Sequence, residues 1–301
     1  MGAIFGFSGP PDPALFQRMS AAVSHRGMFG VHSHESPEAT IAHRAMHEKR
    51  LRERLGAGLL SQNGVTIALA GFLTNRDALA PVLPTLLKHY RKEGIGFVKR
   101  LRGAFVLALQ DGPRLHLVRD GAGARTVYYG QHQRRLLFSV EPKGVLAAPG
   151  FPRRIRPAGV ARFLTFSFQP GHETLLQDLY ELPAGHILTW TGHGEPVLEN
   201  YFWQPRQENG ALSDDEWTRR FRDTFKQAVH ERMPPGEAPV IFLSGGIDSS
   251  VVTAEAARQY PGKLKTFAIH FGENYPTELE YARSVAECCG TEHHDVLIAV
   301  E

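Results

Sequence analysis

The chain has 301 residues, and its 34 Lys and Arg against 31 Asp and Glu give a formal net charge of +3. Nearly balanced charge excludes an electrostatic case for nucleic-acid binding, which needs clustered basic residues. With 42% hydrophobic and 22% charged residues, the composition also excludes global disorder. A prior of about 150 residues per domain predicts two domains.

Neither a targeting segment nor a membrane span is predicted. Residues 1–13 lack the basic and apolar regions of a signal peptide, and no apolar run approaches the length of a membrane helix. The two cysteines, Cys288 and Cys289, are adjacent and cannot form a disulfide framework or a four-thiolate zinc site. We therefore expect a cytoplasmic protein with no nucleic-acid or membrane partner.

Short apolar runs between turn signals make residues 1–203 strand-rich. Strands are predicted over residues 3–7, 65–73, 104–109, 115–118, 126–129 and 136–140. The turns at 111–113 and 120–123 each predict a hairpin. Apolar residues at helical spacing over 82–90 predict a helix, with Pro84 in its first turn. These elements together predict antiparallel sheets covered by helices.

A polar linker over residues 204–212 is expected to precede a second domain. Residues 213–216, Ser-Asp-Asp-Glu, form a capping box that opens a helix, which Pro234 and the residues after it end. The buried face of this helix is predicted to contain Trp217, Phe221, Phe225, Ala228 and Val229.

Strands and helices then alternate to the end of the chain. The wholly apolar run 240–243 predicts a strand buried on both faces. A helix over 249–259, a strand over 264–271, a helix opened by a capping box at 277–280 and ended at Gly290, and a strand over 294–300 follow. This β-α-β-α-β series predicts a parallel sheet.

The loop at residues 244–250, Ser-Gly-Gly-Ile-Asp-Ser-Ser, joins the buried strand to the next helix. Backbone N–H groups and the positive end of a helix dipole face an incoming anion at such a place, and glycines allow close approach. Asp248 would repel a bare phosphate, so its presence predicts a bridging Mg²⁺. A glycine-rich turn without any ligand is the alternative.

This loop resembles the PP-loop of the N-type ATP pyrophosphatases, whose pattern is Ser-Gly-Gly-x-Asp-Ser, and it lacks the Gly-Lys-Ser/Thr end of a Walker loop. The resemblance implies ATP and Mg²⁺ as cofactors. It assigns Ser244, Gly245, Gly246, Asp248 and Ser249 to pyrophosphate, with Asp248 also on Mg²⁺.

Over nearly its whole length, the chain resembles the asparagine synthetase B family. Its start, Met-Gly-Ala-Ile-Phe-Gly, is similar to the family's Met-Cys-Gly-Ile-Phe-Gly, and His-Arg-Gly at 25–27, Ala-His-Arg at 42–44 and Gly-Thr-Glu-His-His at 290–294 match further family motifs. The resemblance implies an Ntn-hydrolase-like αββα sandwich over 1–203, glutaminase-like and α+β. An α/β parallel-sheet PP-loop domain of the adenine nucleotide α-hydrolase-like type is implied over 213–301.

The departures from the family pattern lie in the glutaminase motifs. Gly2 replaces the nucleophilic cysteine, Ala70 replaces the oxyanion-hole asparagine, and residues 82–86 lack the carboxylate that holds the substrate glutamine. We therefore predict that the first domain does not hydrolyse glutamine and that Arg44 is a structural residue.

A family fold without the cysteine but with the PP-loop resembles β-lactam synthetase and the lasso-peptide cyclases. It implies a ligase that adenylates a substrate carboxylate, releases AMP and pyrophosphate, and lets an amine of the same substrate attack. An asparagine synthetase that uses free ammonia and a non-catalytic interaction module are the alternatives. A small-molecule or peptide carboxylate is the expected substrate, while a precursor peptide, a partner protein and a homo-oligomer stay open.

Two further residues follow from the resemblance. Phe242 and Ile269 fall where the family's strands line the adenine, and core packing is the alternative interpretation. Because family synthetase domains continue well past this length, the second domain is expected to be truncated, with its catalytic residues beyond residue 301. The chain would then be a fragment, or the remaining domain would lie on another chain.

Overall fold

A computed structural model describes residues 2–47, 56–76, 79–202, 212–233, 238–272 and 275–299. The chain divides into two units, Met1–Arg206 and Gln207–Glu301, and each is taken by itself. Residues 204–211 of the expected linker and the helix stop at 234–236 lie outside the described residues. Within the described ranges, no helix is long and apolar enough to cross a membrane.

The first unit contains twelve strands and four α-helices among its described residues. The strands are β1 (Ala3–Ser8), β2 (Val31–Glu35), β3 (Ala39–Arg44), β4 (Gly58–Gln62), β5 (Val65–Leu73), β6 (Gly103–Asp111), β7 (Arg114–Arg119), β8 (Tyr128–His132), β9 (Arg135–Ser139), β10 (Tyr180–Glu181), β11 (His186–Trp190) and β12 (Val197–Asn200). The helices are α1 (Pro13–Ala22), α2 (Val82–Glu93), α3 (Pro142–Leu146) and α4 (Pro157–Phe166).

The strands form two six-stranded sheets, ordered β10-β8-β9-β1-β3-β2 and β12-β11-β7-β6-β5-β4. The neighbouring strands pair in antiparallel register, which confirms the antiparallel sheets predicted for this half.

Side-chain alternation along β5 places this strand between two cores. Ile67 and Leu69 pack with Leu86 of α2, whereas Ala68 and Ala70 belong to the core that also holds residues of β1, β3 and α1. Successive side chains of a strand point to opposite faces, so one sheet can bury both of its faces. The layers are therefore helix, sheet, sheet and helix.

The hairpin predicted at residues 120–123 is wrong. β7 pairs with β6 and β11 in one sheet, whereas β8 pairs with β9 and β10 in the other. The buried carboxylate of Asp120 accepts backbone N–H groups of Ala122 and Ala124 through Oδ1, at 3.1 and 3.0 Å, and of Arg125 through Oδ2 at 3.0 Å. It thus stabilises a loop that crosses between sheets, and β8 begins at Tyr128, two residues later than predicted.

The second unit places three parallel strands among its helices. Its elements are α5 (Asp214–Arg232), β13 (Val240–Phe242), α6 (Ile247–Gln259), β14 (Lys265–His270), α7 (Leu279–Cys289) and β15 (Glu292–Leu297). Their order is β13-β14-β15, and both pairings are parallel, as the alternating pattern predicts. The last strand begins two residues earlier than expected and ends at Leu297.

Burial of the first strand of this unit is not as predicted. Phe242 is 71% exposed and Val240 is also exposed, although Leu243 after them is buried. Among the described strands β13 pairs only with β14, so it is an edge strand and not a strand covered on both faces. On the predicted buried face of α5, Val229 is buried as expected. Phe221 and Trp217 are exposed, so the prediction is wrong for these two residues.

The two predicted capping boxes have different outcomes. Ser213 caps α5, since its Oγ accepts the Glu216 N–H and Glu216 accepts the Ser213 N–H. At α7 the box is wrong, because the helix begins at Leu279 with Glu278 as its N-cap, which places Glu280 at the second helical position and not the third. Gly290 ends α7 in a left-handed conformation, as predicted.

Candidate functional site

The loop at residues 244–250 is held closed by its own hydroxyl groups. The Oγ atoms of Ser244 and Ser249 lie 3.0 Å apart, and Ser249 Oγ accepts the Ser244 N–H at 3.2 Å. Ser250 Oγ donates to the carbonyl of Gly246 at 2.7 Å. These contacts fold the loop back on the first turn of α6, so the serines are near the helix start.

Gly245 lets this loop lie directly against α7. Its φ is +95°, and a Cβ there would be 2.6 Å from the carbonyl oxygen of Glu278 and 2.9 Å from the backbone nitrogen of Ala282. Gly246 is different, since its φ is −69° and the nearest heavy atom to a Cβ would be Ser244 Oγ at 3.5 Å. Of the two glycines, Gly245 is therefore the one the backbone requires.

The first turn of α6 faces outward. Its N-cap, Gly246, supplies no side chain, and within the described residues no side-chain hydrogen bond caps this helix end. Asp248 lies in this turn and is exposed, one position past Ile247. Backbone N–H groups left without intrahelical acceptors, together with the helix dipole, favour an anion here.

A cavity of about 540 Å³ opens at the ends of β13 and β14, beside the loop. Phe242, Ser244 and Ile269 line it, together with residues that include Phe267, His270 and Glu278. Ile269 is 48% exposed and Phe242 is 71% exposed, so neither side chain is packed in a core among the described residues. Within the loop Ser244 contacts Gly246 and Ser249, but Gly245, Gly246, Asp248 and Ser249 do not line the cavity itself.

Glu278 is a residue of this site that sequence reasoning missed. Its Oε2 lies 3.8 Å from the position that a Cβ on Gly246 would take, and Glu278 lines the cavity with Ser244. The sequence shows only an acidic residue inside the predicted capping box of Thr277 and Glu280, which gives Glu278 itself no role. Contact with the loop depends on the packing of α7 against Gly245.

The few carboxylates near the loop suit a Mg²⁺ ion that takes most of its ligands from water and phosphate. They do not suit a metal ion whose ligands all come from protein side chains. In the part of the chain that the structure describes, no group of three or more His, Cys, Asp or Glu could hold a metal ion. Mg²⁺ usually takes one or two carboxylates and completes its shell with water and substrate phosphates. Asp248 in the first turn of α6 and Glu278 beside Gly246 are the carboxylates that could supply that donor set.

In the first unit, a cavity of about 200 Å³ contains two of the three departures from the glutaminase pattern. Gly2 and Ala70 line it, together with Arg26, Val106, Ala124, Arg125, Thr126 and Val140. A Cβ on Gly2 would lie 2.8 Å from the carbonyl oxygen of Arg44 and 3.2 Å from His43 Nε2. The positions expected for nucleophile and oxyanion donor thus share one cavity and carry neither group.

The other glutaminase motifs are parts of the scaffold. Arg44 donates to the carbonyl oxygens of Gly27 at 3.2 Å and of Ser20 at 3.0 Å, and to Ser20 Oγ at 2.7 Å. Burial lowers the pKa of its guanidinium. In the segment expected to hold a substrate clamp, Val82 and Leu86 are buried in the core beneath α2.

Glu141 fixes the His-Arg-Gly motif beside the Gly2 cavity. Its Oε1 accepts from His25 Nε2 at 2.9 Å and from Arg26 Nε, and its Oε2 lies 3.1 Å from Lys143 Nζ. Burial alone would raise the pKa of Glu141, but the hydrogen bonds from His25, Arg26 and Lys143 outweigh it and lower the pKa to about 2. The ionised carboxylate is therefore the form the fold stabilises.

This network predicts a pH-dependent contribution to stability. A carboxyl group whose pKa is lower in the folded chain stabilises it fully above the unfolded-state pKa, and that stabilisation is lost as pH falls through the folded pKa. The difference in unfolding free energy between the parent and Glu141→Gln should be largest at pH 6 and shrink from about pH 4.5 toward about pH 2. Urea unfolding at several pH values measures it, with Glu38→Gln, at an exposed carboxylate, as the control. A difference that is constant with pH would contradict this prediction.

Comparison with known families matches both halves of the chain. The glutamine amidotransferase domain model covers residues 1–203, and the asparagine synthase model covers residues 220–301.

Three relatives are similar to about three quarters or more of this chain. Carboxyethyl-arginine beta-lactam-synthase of Streptomyces clavuligerus is 28% identical over 256 residues, which are 82% of this chain and 47% of that protein. Glutamine-hydrolyzing asparagine synthetase 1 of Bacillus subtilis is 27% identical, over 77% of this chain and 36% of that protein. Amidase chry2 of Gibberella zeae is 28% identical, over 74% of this chain and 35% of that protein. The chain therefore spans less than half the length of these relatives.

Proposed function

The chain belongs to the asparagine synthetase family, and from that premise we propose that it is part of an ATP-dependent carbon–nitrogen ligase. The protein adenylates a substrate carboxylate, an amine of the same substrate attacks, and AMP and pyrophosphate leave. It does not hydrolyse glutamine. The observation that carries this proposal is the pairing of a PP-loop, closed on α6 and seated against α7 at Gly245, with a Gly2 cavity that lacks nucleophile and oxyanion donor.

The proposed reaction has two balanced steps. In the first, an oxygen of the substrate carboxylate forms a bond to the α-phosphorus of ATP, and the bond to pyrophosphate breaks. In the second, the amine nitrogen bonds to the activated carbonyl carbon, the bond to AMP breaks, and the proton of the nitrogen passes to solvent water. Because the amine is already in the substrate, no ammonia is needed and the product is a lactam or a macrolactam.

The described residues supply the binding part of this reaction. Backbone N–H groups at the start of α6 and the hydroxyls of Ser244 and Ser249 would hold the phosphates. Asp248 would hold Mg²⁺, which would offset phosphate charge as pyrophosphate leaves. Phe242 and Ile269, both exposed in the adjoining cavity, would pack against the adenine.

The first unit supports the intramolecular form of this chemistry. An asparagine synthetase fed by its own glutaminase would need a nucleophile at position 2, and Gly2 supplies none. We assign the protein to the group that resembles β-lactam synthetase and the lasso-peptide cyclases. A small-molecule or peptide carboxylate as substrate, a precursor peptide or partner protein, a homo-oligomer and a cytoplasmic location belong to the same proposal.

Pyrophosphate release from ATP tests the proposal in the full-length protein. Three sets of conditions should be compared: glutamine, aspartate with ammonium, and candidate carboxylates that carry their own amine. We expect release with an amine-bearing carboxylate alone, no glutamate from glutamine, and at least about a hundredfold slower release in Asp248→Ala. Asp223→Ala, at an aspartate on α5, serves as the matched control and should retain the rate.

The other outcomes identify the alternatives. Release only with aspartate and ammonium would replace this proposal by an ammonia-dependent asparagine synthetase. Absence of both release and Mg²⁺-dependent ATP binding would favour a non-catalytic interaction module. Glutamate produced from glutamine would overturn the assignment of the first unit.

A further inference from the structure

A second cavity of the first unit, about 370 Å³ in volume, lies between β8, β10 and the loop that precedes β12. None of its lining residues lines the cavity at Gly2. The side chains that give it its chemistry are Tyr129, Gln131, His172, Asp178, Tyr180 and Glu195. Two phenol rings, an imidazole, an amide and two carboxylates therefore converge on one space, without a Lys or Arg among the residues that line it.

The aromatic rings form one continuous wall. Tyr129 and Tyr180 are directly opposite each other on β8 and β10, with ring centroids 5.6 Å apart and planes at 29°. His172 stacks on Tyr180 at 5.7 Å and 24°. The face of an aromatic ring carries partial negative charge, and the Arg156 guanidinium over the Tyr180 ring shows that a ring of this wall can hold a cation.

The two carboxylates are held in place by the backbone around them. The amide of Gln131 donates to the carbonyl of Gly194 at 3.0 Å, which fixes the loop at Glu195. The backbone of Asp178 has a φ of +62°. Residues other than glycine adopt this left-handed conformation only at a cost in conformational energy. Both carboxylates line the cavity, where they can pair with a cation.

Tyr129 is a buried residue that lines this cavity. It is only 5% exposed. Burial, with Tyr180 and Glu195 nearby, raises the pKa of Tyr129 to about 12, so the phenol stays neutral at physiological pH. Its oxygen can accept a hydrogen bond from a ligand N–H.

The chain itself already places a guanidinium on this wall. The Arg156 guanidinium carbon lies 5.6 Å from the centroid of the Tyr180 ring, and its Nη1 bonds to Glu173 Oε1 at 2.7 Å. That pair combines a phenol ring with a carboxylate around one cation. The cavity repeats the combination with Tyr129, Asp178 and Glu195, and supplies no cation of its own.

We propose that this cavity binds an organic cation with N–H donors, a guanidinium or a primary ammonium, between the tyrosine wall and the carboxylates of Asp178 and Glu195. The rings attract the charge, the carboxylates pair with it, and the Tyr129 oxygen accepts one of its N–H groups. This inference does not depend on the ATP-dependent reaction, because the cavity lies wholly within the first unit.

Isothermal titration calorimetry of the 301-residue chain tests the proposal with four probes of similar size. Methylguanidinium and butylammonium carry both charge and N–H donors, tetramethylammonium carries charge alone, and butanol carries neither a charge nor an N–H. We expect saturable binding of the first two, binding of tetramethylammonium about tenfold weaker, and none of butanol. The stronger of the first two identifies the head group. Equal binding of butanol, or no binding of either N–H cation, would overturn the proposal.

Isosteric variants tie that binding to the cavity. Asp178→Asn keeps a residue that tolerates a left-handed backbone, and Glu195→Gln keeps the side-chain length. Each should weaken methylguanidinium binding about tenfold, and Tyr129→Phe about threefold, since it removes one acceptor but keeps the ring. Glu199→Gln, on β12 outside the cavity, should leave binding unchanged. Undiminished binding in the Asp178→Asn, Glu195→Gln double variant would refute the assignment.

Discussion

Replacing Gly245 with alanine is expected to lower the unfolding free energy of the second unit by about 3 kcal/mol. The new Cβ would meet the Glu278 carbonyl oxygen at 2.6 Å and the Ala282 nitrogen at 2.9 Å, and both are backbone atoms of the α7 start. A φ of +95° adds strain for any residue with a side chain. Relief would require α7 to move away from the loop, so Mg²⁺-dependent ATP binding should be lost together with stability.

The neighbouring glycine provides the control for this variant. Gly246→Ala keeps an extended φ, and its Cβ would approach no heavy atom closer than 3.5 Å, so we expect a cost of about 1 kcal/mol or less. Amide hydrogen exchange in α6 and α7 of the full chain reports the stability of this unit separately from the first. Equal protection in the two variants would show that the loop does not depend on its contact with α7.

Restoring two catalytic groups to the first unit is expected to leave it without glutaminase activity. In the Gly2→Cys, Ala70→Asn double variant, the nucleophile and the oxyanion donor return to the cavity that both residues line. The cysteine Cβ, however, would lie 2.8 Å from the Arg44 carbonyl oxygen, and Arg44 is fixed by its bonds to Ser20 and Gly27. No carboxylate clamp would hold the substrate, because Val82 and Leu86 are buried in the core.

Glutamate release from glutamine measures this second prediction. Mass spectrometry must first establish that the initiating methionine has been removed, because the cysteine thiolate needs a free α-amine as its base. Retention of the parent circular dichroism spectrum excludes a trivial loss through unfolding. Glutamate formed above the rate of the parent would mean that the cavity still recognises glutamine and that only the nucleophile and the oxyanion donor had been lost.

The features that sequence could predict are those set by local pattern. The strand predicted over residues 65–73 is β5, and the antiparallel sheets expected for this half are present. The capping box at Ser213 was predictable for the same reason, since both partners lie within one turn. The Ser244 loop falls between a strand and a helix because its neighbours have opposite periodicities.

The features that sequence missed depend on distant partners. Asp120 and the glycine after it form an ordinary turn signal, and only the pairing of β7 and β8 with different strands separates a crossing loop from a hairpin. The apolar run at Val240 indicates a strand but not how many neighbours cover it. Glu278 reaches the Gly246 region because α7 packs on Gly245, a contact between residues 33 positions apart in sequence.

The interleaved strand order of the first unit has a consequence for its synthesis. β1, which begins at Ala3, lies between β3 and β9, while the sheet that contains β4 to β7 is completed only by β11 and β12 near residue 200. Neither sheet can be completed while the ribosome is still producing the middle of the unit. The early strands therefore keep unpaired edges until their later partners have been synthesised. We expect slow folding dominated by long loop closures, and an early demand for chaperones during translation.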